Sequence, residues 1–267
     1  MIWNSSEEVT IRVRGASLEG RCFGPSPSKE VPIIILLHEG LGSVGLWRDF
    51  PEKLAELTGL GVFAYSRLGY GNSDPVPLPR PLNYMADEAV RVLPEILDQV
   101  GCSSCFLLGH SDGASIAALY AGRMADDRVI GVGLLAPHFF AEPESIDAIA
   151  KVKTAFEETD LRQKLARHHL DVEGAFYGWN RAWLDPAFMN WNIEDALEGI
   201  KVPVLVIQDK QDEYGTLKQI KALEVGLKSP LVKVIVENCG HSPHQECPEI
   251  TLPAISDFFD QILKNSI

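Results

Sequence analysis

The stretch FLLGHSDGASIAALYAG, Phe106–Gly122, decides how the rest of the chain is read. An apolar run, Phe106 to Leu108, stops at Gly109. His110, Ser111, Asp112 and Gly113 follow, and a small-residue helical pattern begins at once. A serine therefore stands between two glycines where a buried strand turns straight into a helix. Small neighbours let the backbone turn without side-chain clash. The turn lifts the serine hydroxyl above the sheet edge, beside the free N–H groups and positive dipole end of the helix. Gly109-His110-Ser111-Asp112-Gly113 fits G-x-S-x-G in the strand–turn–helix context that this motif requires.

Outward from that stretch, strands and helices alternate. EEVTIRVRGASLEGRCF reads as two short strands about a turn at Gly15, and VPIIILLHEG as a strand buried on both faces. LWRDFPEKLAEL has helical spacing, and GVFAYSRLG is again a strand. MADEAVRVLPEILDQVG predicts a helix kinked at Pro94 and ending at Gly101. VIGVGLLAP, VPVLVIQ and LVKVIVEN are further strands, and PAISDFFDQILKN a closing helix. This alternation means βαβ units and a mostly parallel, doubly wound sheet, with functional groups at the carboxyl ends of its strands. From about 142 to 199 no strand signal occurs. That segment reads as a helical insertion rich in aromatics, among them Trp179 and Trp183, which serve its own core or line an apolar substrate pocket.

Composition narrows the function classes. The 267 residues suffice for one large domain with an insertion. A formal net charge of −13 argues against nucleic-acid partners and against docking on anionic membranes. The opening residues lack a basic start followed by an apolar stretch, so no leader is expected. The run Val31 to Leu37 is too short to span a bilayer. A cytoplasmic location is the resulting expectation. The five cysteines are odd in number and scattered, unlike a secreted disulfide framework. The Cys102–Cys105 pair has no second CxxC to accompany it and reads as structural. No metal-ligand spacing stands out.

A serine hydroxyl is a poor nucleophile without a base. Of seven histidines, His241 is best placed, just past the last strand in a Gly-flanked loop; His244 is the alternative. His110 is too close in sequence to approach Ser111 from the side and reads as a turn or supporting residue. His168 and His169, in the insertion, read as surface or cap residues. An orienting carboxylate is available in the loop after VPVLVIQ. Asp209, Asp212 and Glu213 all lie there, and Asp212 is favoured because it lies far enough beyond the strand to reach back over the sheet edge. Ser111, Asp212 and His241 then follow three strand ends in the order nucleophile, acid, histidine. The glycine-rich loop His38-Glu39-Gly40-Leu41-Gly42 can offer backbone N–H groups to developing negative charge, with the N–H of Asp112 as the second donor.

Taken together, these residues resemble an α/β-hydrolase fold serine hydrolase of the carboxylesterase type over nearly the whole chain. GHSDG, HEGLG, QDKQDEYG and CGHSPHQECPE fall in the family's order, and SRLGYGNSD resembles its R-G-x-G-x-S region, with Leu68 replacing a glycine. The resemblance implies an eight-stranded α/β-hydrolase core over 1–141 and 200–267, with a helical cap over 142–199. It implies Gly40 as the first oxyanion donor, with Leu41 as the fallback, and a substrate site that includes Leu41, His110, Trp179 and Trp183. It implies no metal or organic cofactor. The expected partner is a small-molecule ester or acyl substrate, and an exposed apolar cap face would permit a homodimer. Glu39 departs from the pattern, since relatives usually carry glycine there and a carboxylate beside the oxyanion loop would repel an anionic intermediate unless it points away. A thioester, a lactone or a carbon–carbon bond is an alternative substrate, with Lys151, Lys153, Arg162, Lys164 and Arg167 available to an acyl-CoA. A non-catalytic ligand-binding protein on the same scaffold is a further alternative.

Overall fold

The computed structural model describes Trp3 and residues 7–265. The remaining opening residues, on which the leader reading rests, lie outside the described residues. Among the described residues eight strands form one sheet: β1 (Glu8–Val13), β2 (Ala16–Phe23), β3 (Ile33–Leu37), β4 (Gly61–Tyr65), β5 (Cys105–His110), β6 (Val129–Leu135), β7 (Val204–Asp209) and β8 (Leu231–Val236). Their spatial order is β1-β2-β4-β3-β5-β6-β7-β8. β1 and β2 pair antiparallel, β2 joins β4 antiparallel, and the ladders from β4 through β8 are parallel. The mostly parallel sheet expected from the alternating pattern is therefore observed, with the opening hairpin at one edge.

The helices are α1 (Phe50–Thr58), α2 (Tyr84–Asp87), α3 (Leu93–Val100), α4 (Asp112–Arg123), α5 (Pro143–Glu158), α6 (Leu161–Leu165), α7 (Val172–Trp183), α8 (Lys218–Gly226), α9 (Pro243–Glu246) and α10 (Pro248–Asn265). Side chains alternate across a strand, so IIILL in β3 serves two cores. Ile33, Ile35 and Leu37 pack with Leu93, Ile96, Ile116 and Leu119 on one face. Ile34 and Leu36 pack with Phe50, Leu54, Phe258 and Phe259 on the other. The helix expected around Pro94 is divided: α2 passes into a wide π turn, Glu88–Val92, and α3 restarts with Pro94 in its first turn. Proline lacks an N–H and crowds the preceding turn, and the widened turn accommodates it. Gly101, at φ 76°, ends α3.

Between β6 and β7 the chain forms α5, α6, α7 and two 3-10 turns, with one bridge, Phe140 to Asn192, at the base of the excursion. Its aromatics divide between both expected roles. Phe156 stacks on Phe176 with centroids 3.7 Å apart, and Phe188 stacks on Trp191, so these form the segment's own core. Trp179 and Trp183 instead face the cavity described below. His169 corrects the sequence reading. It is buried, with Nδ1 accepting from Gly71 N at 3.0 Å and Nε2 donating to Leu41 O at 2.9 Å. Both loops leave strand ends under the insertion, and one neutral imidazole satisfies a donor in one and an acceptor in the other.

Among the described residues Cys239 and Cys247 form a disulfide, while Cys22, Cys102 and Cys105 are buried and take no part in it. The scattered spacing hid this pair because the loop after β8 curls into α9 and brings the two Cα atoms to 5.7 Å. Among the described residues no helix is long and apolar enough to cross a membrane.

The tightest constraint lies where α4 leaves β5. A Cβ on Gly113 would sit 1.9 Å from Leu37 O, and one on Gly109 would sit 2.2 Å from Gly113 O. Both obstacles are backbone, so neither can swing aside. Gly113→Ala is expected to lower stability by about 1–3 kcal/mol, as overpacked cores do. The midpoint of urea unfolding checks this, and an unchanged midpoint would show that β3 and α4 separate freely.

Candidate active site

Six strands deliver side chains to one edge of the sheet, at their carboxyl ends. Ser111 follows β5 with φ 52° and ψ −116° and stands at the N-terminus of α4, 8% exposed. A positive φ is strained for any residue with a Cβ. Ser111 is held there from both sides: its N–H bonds Leu135 O at 2.9 Å, and its carbonyl accepts from Ala114 N and Ser115 N. It opens into a cavity of about 280 Å³ lined also by His241, Asp112, Gly40, Leu41 and Tyr214.

His241 lies beyond β8, and its Nδ1 meets both carboxylate oxygens of Asp212, at 2.9 and 2.8 Å. Asp212 also accepts from Gln208 Nε2 at 2.8 Å and from Tyr214 N at 2.8 Å. Burial opposes the Asp212 charge, but His241 and these donors outweigh it and hold its carboxyl below the ordinary range. Burial likewise pulls the His241 imidazole down, and the Asp212 carboxylate more than reverses this, leaving it above the ordinary histidine value. Nδ1 is committed to Asp212, which leaves Nε2 for chemistry. His110 Nε2 donates to His241 O at 2.8 Å, tying the elbow to the histidine loop.

The other candidates separate clearly. Asp209 faces away from His241 and accepts from Cys239 N and Gln211 N, each at 2.5 Å, so it holds two loop backbones together. His244 is buried against Trp47 and Phe50, and burial with the neighbouring His110 keeps its imidazole well below the ordinary value. His110 is 1% exposed and lines the cavity as the last residue of β5.

The loop after β3 brings Gly40 and Leu41 to the cavity wall, and neither N–H bonds any other backbone or side-chain group among the described residues. Asp112 is the first residue of α4, so its N–H has no acceptor in a preceding turn. A Cβ on Gly40 would lie 2.1 Å from Trp179 Nε1, so any larger residue there would have to displace the indole. The Glu39 carboxylate is folded back over Gly42, with Oε2 3.6 Å from His110 Nδ1. Burial favours its neutral form, but His110 and the surrounding imidazoles outweigh this and hold its carboxyl well below the usual range.

α5 and α7 roof the cavity with Ile149, Val152, Trp179 and Trp183. Trp183 Nε1 donates to Tyr84 OH at 3.0 Å, and Tyr84 OH donates to Asp112 Oδ2, so the roof is wired to the elbow. None of Lys151, Lys153, Arg162, Lys164 or Arg167 lines the cavity. Arg162 pairs with Glu173 and Lys164 with Asp160. Sequence reading passed over Gln208, His138 and Arg67. His138 carries no motif, whereas Gln208 opens the stretch QDKQDEYG. Arg67 lies inside SRLGYGNSD, so a signal for it was present in the resemblance. Among the described residues no group of three or more His, Cys, Asp or Glu side chains is arranged to hold a metal ion.

Residues 34–254 match the family described as "Alpha/beta hydrolase family". An epoxide hydrolase of Siraitia grosvenorii is 31% identical over 142 residues, covering 52% of this chain and 42% of that protein. The chain thus spans less than half the length of the curated epoxide hydrolases it matches. A bifunctional esterase/perhydrolase of Acinetobacter calcoaceticus is 25% identical over 228 residues, covering 74% of this chain and 80% of that one. Among solved structures, proline iminopeptidase of Mycobacterium smegmatis aligns over 98% of this chain and 100% of its own, with a TM-score of 0.75 at 19% identity, a likeness of fold. With the family match spanning most of the sheet and the elbow at its centre, this chain belongs to the alpha/beta hydrolase family.

Proposed function

We propose that the chain is a serine hydrolase that cleaves a small to medium carboxylic ester through an acyl-enzyme on Ser111. The observation that carries this reading is Ser111, raised at positive φ into the same cavity as a histidine whose Nδ1 is bound to a buried carboxylate. In this mechanism His241 Nε2 takes the Ser111 proton as Oγ attacks the ester carbonyl. Asp212 holds the imidazole tautomer and stabilises the imidazolium. The N–H groups of Gly40 and Asp112 receive the oxyanion. The imidazolium returns its proton to the leaving alcohol, and water then repeats the cycle on the acyl-enzyme. Segment 142–199 acts as the cap, with Trp179, Trp183 and Leu41 shaping an apolar acyl site of the modest volume the cavity provides.

The epoxide-hydrolase likeness does not redirect this reading. A serine that opened an epoxide would be left as an ether, which water does not cleave under these conditions, whereas an acyl ester on serine turns over. None of the five basic residues lines the cavity, although Lys151 lines an adjoining depression that shares Val152, Glu213 and Tyr214 with it, and the acidic lining, Glu39, Glu213 and Glu246, disfavours an acyl-CoA and anionic substrates generally.

Mixing the protein with p-nitrophenyl acetate or butyrate is expected to release a burst of about one equivalent followed by steady turnover, and Ser111→Ala to abolish both. A wild type no faster than this variant would favour a binding role. Asp212→Asn is expected to cost about 10³-fold or more in kcat. Asp209→Asn should retain most activity, and the reverse ranking would mean that the wrong acid has been assigned. The acid limb of kcat/KM reports deprotonation of His241 in the free enzyme. It should therefore lie above the ordinary histidine value of 6.5 and move to lower pH in any residual activity of Asp212→Asn, because the carboxylate is what raises it. A limb unmoved by that change would assign the titration to another group.

A further inference from the structure

We propose that Arg67 is the positioning residue of the oxyanion hole, holding the two donor strands of the site, the loop carrying Gly40 and the elbow carrying Asp112, in one rigid frame. The assignment rests on the reading of Ser111 as nucleophile given above.

Arg67 stands two residues past β4 and is only 2% exposed. Its Nη1 donates to His38 O and its Nη2 to Glu39 O, each at 3.0 Å. Its own backbone N–H donates to His38 Nε2 at 3.0 Å, while His38 Nδ1 donates to Glu39 O at 2.7 Å. Burial and the adjacent Arg67 charge keep the His38 imidazole well below its ordinary value, which matches a neutral ring donating at one nitrogen and accepting at the other. Glu39 O thus receives three donors, Arg67 Nη2, His38 Nδ1 and the N–H of Gly42 at 3.1 Å. Its carbonyl and the N–H of Gly40 belong to one planar trans peptide and point in opposite directions. Pinning the oxygen with a cation and an imidazole therefore fixes the direction of the Gly40 N–H. Polarising the same peptide strengthens that N–H as a donor.

The same Nη2 that holds Glu39 O also lies 3.7 Å from Asp112 Oδ2, and Asp112 is 1% exposed. Asp112 is the residue after Ser111, so its carboxylate anchors the peptide that offers the second donor. One planar fork therefore spans the β3 loop and the elbow. Donors fixed before charge develops need no reorganisation in the transition state, which is where oxyanion stabilisation gains its strength. A lysine ammonium, a single point charge on a flexible stem, cannot reproduce a fork that holds two carbonyls and a carboxylate together.

The test compares wild type, Arg67→Lys and Asp112→Asn with p-nitrophenyl acetate. Burst amplitude counts competent sites, so turnover is expressed per site, and affinity for a trifluoromethyl ketone reports the tetrahedral adduct. Arg67→Lys is expected to lose about tenfold or more in kcat per site, with KM within about twofold, because the interaction is made in the transition state. Ketone affinity should fall by the same factor. Asp112→Asn, which loosens the anchor while keeping the fork, should show a smaller loss of the same pattern, and it decides the matter if Arg67→Lys does not fold. Full turnover per site, or a loss confined to KM or to burst amplitude, overturns the assignment. Absence of a burst and of ketone binding in the wild type is a different result: it removes the serine nucleophile itself, and the positioning role falls with it.

Discussion

The close approach of α4 to β3 governs the rest of this site. Gly113 has no room for a methyl group because the carbonyl of Leu37 occupies that space. That contact brings the end of β3, with its glycine-rich loop, against the first turn of α4. It also forces the chain between β5 and α4 to reverse within a few residues, which puts Ser111 at positive φ. The serine, the free N–H of Asp112 and the loop carrying Gly40 are neighbours because two backbones touch. The surrounding sheet, buried on both faces, is what makes so strained a turn tolerable.

Electrostatics around this turn are sorted by depth. Arg67 and Asp112 form a buried pair beneath the donors; the Tyr84 hydroxyl donates to the carboxylate and is itself held by Trp183. Asp212 and His241 form a second pair at the cavity wall, and Gln208 saturates the carboxylate further. Buried charges of this kind persist only when paired and hydrogen-bonded. Glu39, which from its position in the sequence threatened the oxyanion loop, is diverted toward His110. The acidic residues that remain, Glu213 and Glu246, sit where the cavity meets solvent.

The histidine loop shows how several weak ties fix one functional side chain. Asp209 holds Cys239 N, the Cys239–Cys247 bond closes the loop, and His110 binds the carbonyl of His241 itself. His169 does the corresponding work on the opposite side, joining the insertion to Leu41 and Gly71. Apart from the disulfide, which spans eight residues, these ties link segments far apart in sequence, and together they fix the backbone that presents the imidazole to the cavity.

The sequence by itself determined the α/β alternation, the strand–turn–helix at Ser111 and the loops that end in Asp212 and His241. These are local matters: apolar runs of strand length, helical spacing, and glycines where a backbone must reverse. Reach beyond the strand favoured Asp212 in the sequence, and the tertiary structure decided the contact itself. Asp209 and Asp212 are three residues apart with the same chemistry, and only the path of the loop turns one to Cys239 and the other to His241. It decided as well that His169 is a buried bridge, that Cys239 meets Cys247, and that Arg67 spans two loops. Hydrophobic periodicity records which face of an element is buried. It carries no record of which polar group meets which, because those pairings are made by chain segments that approach only after the sheet has closed.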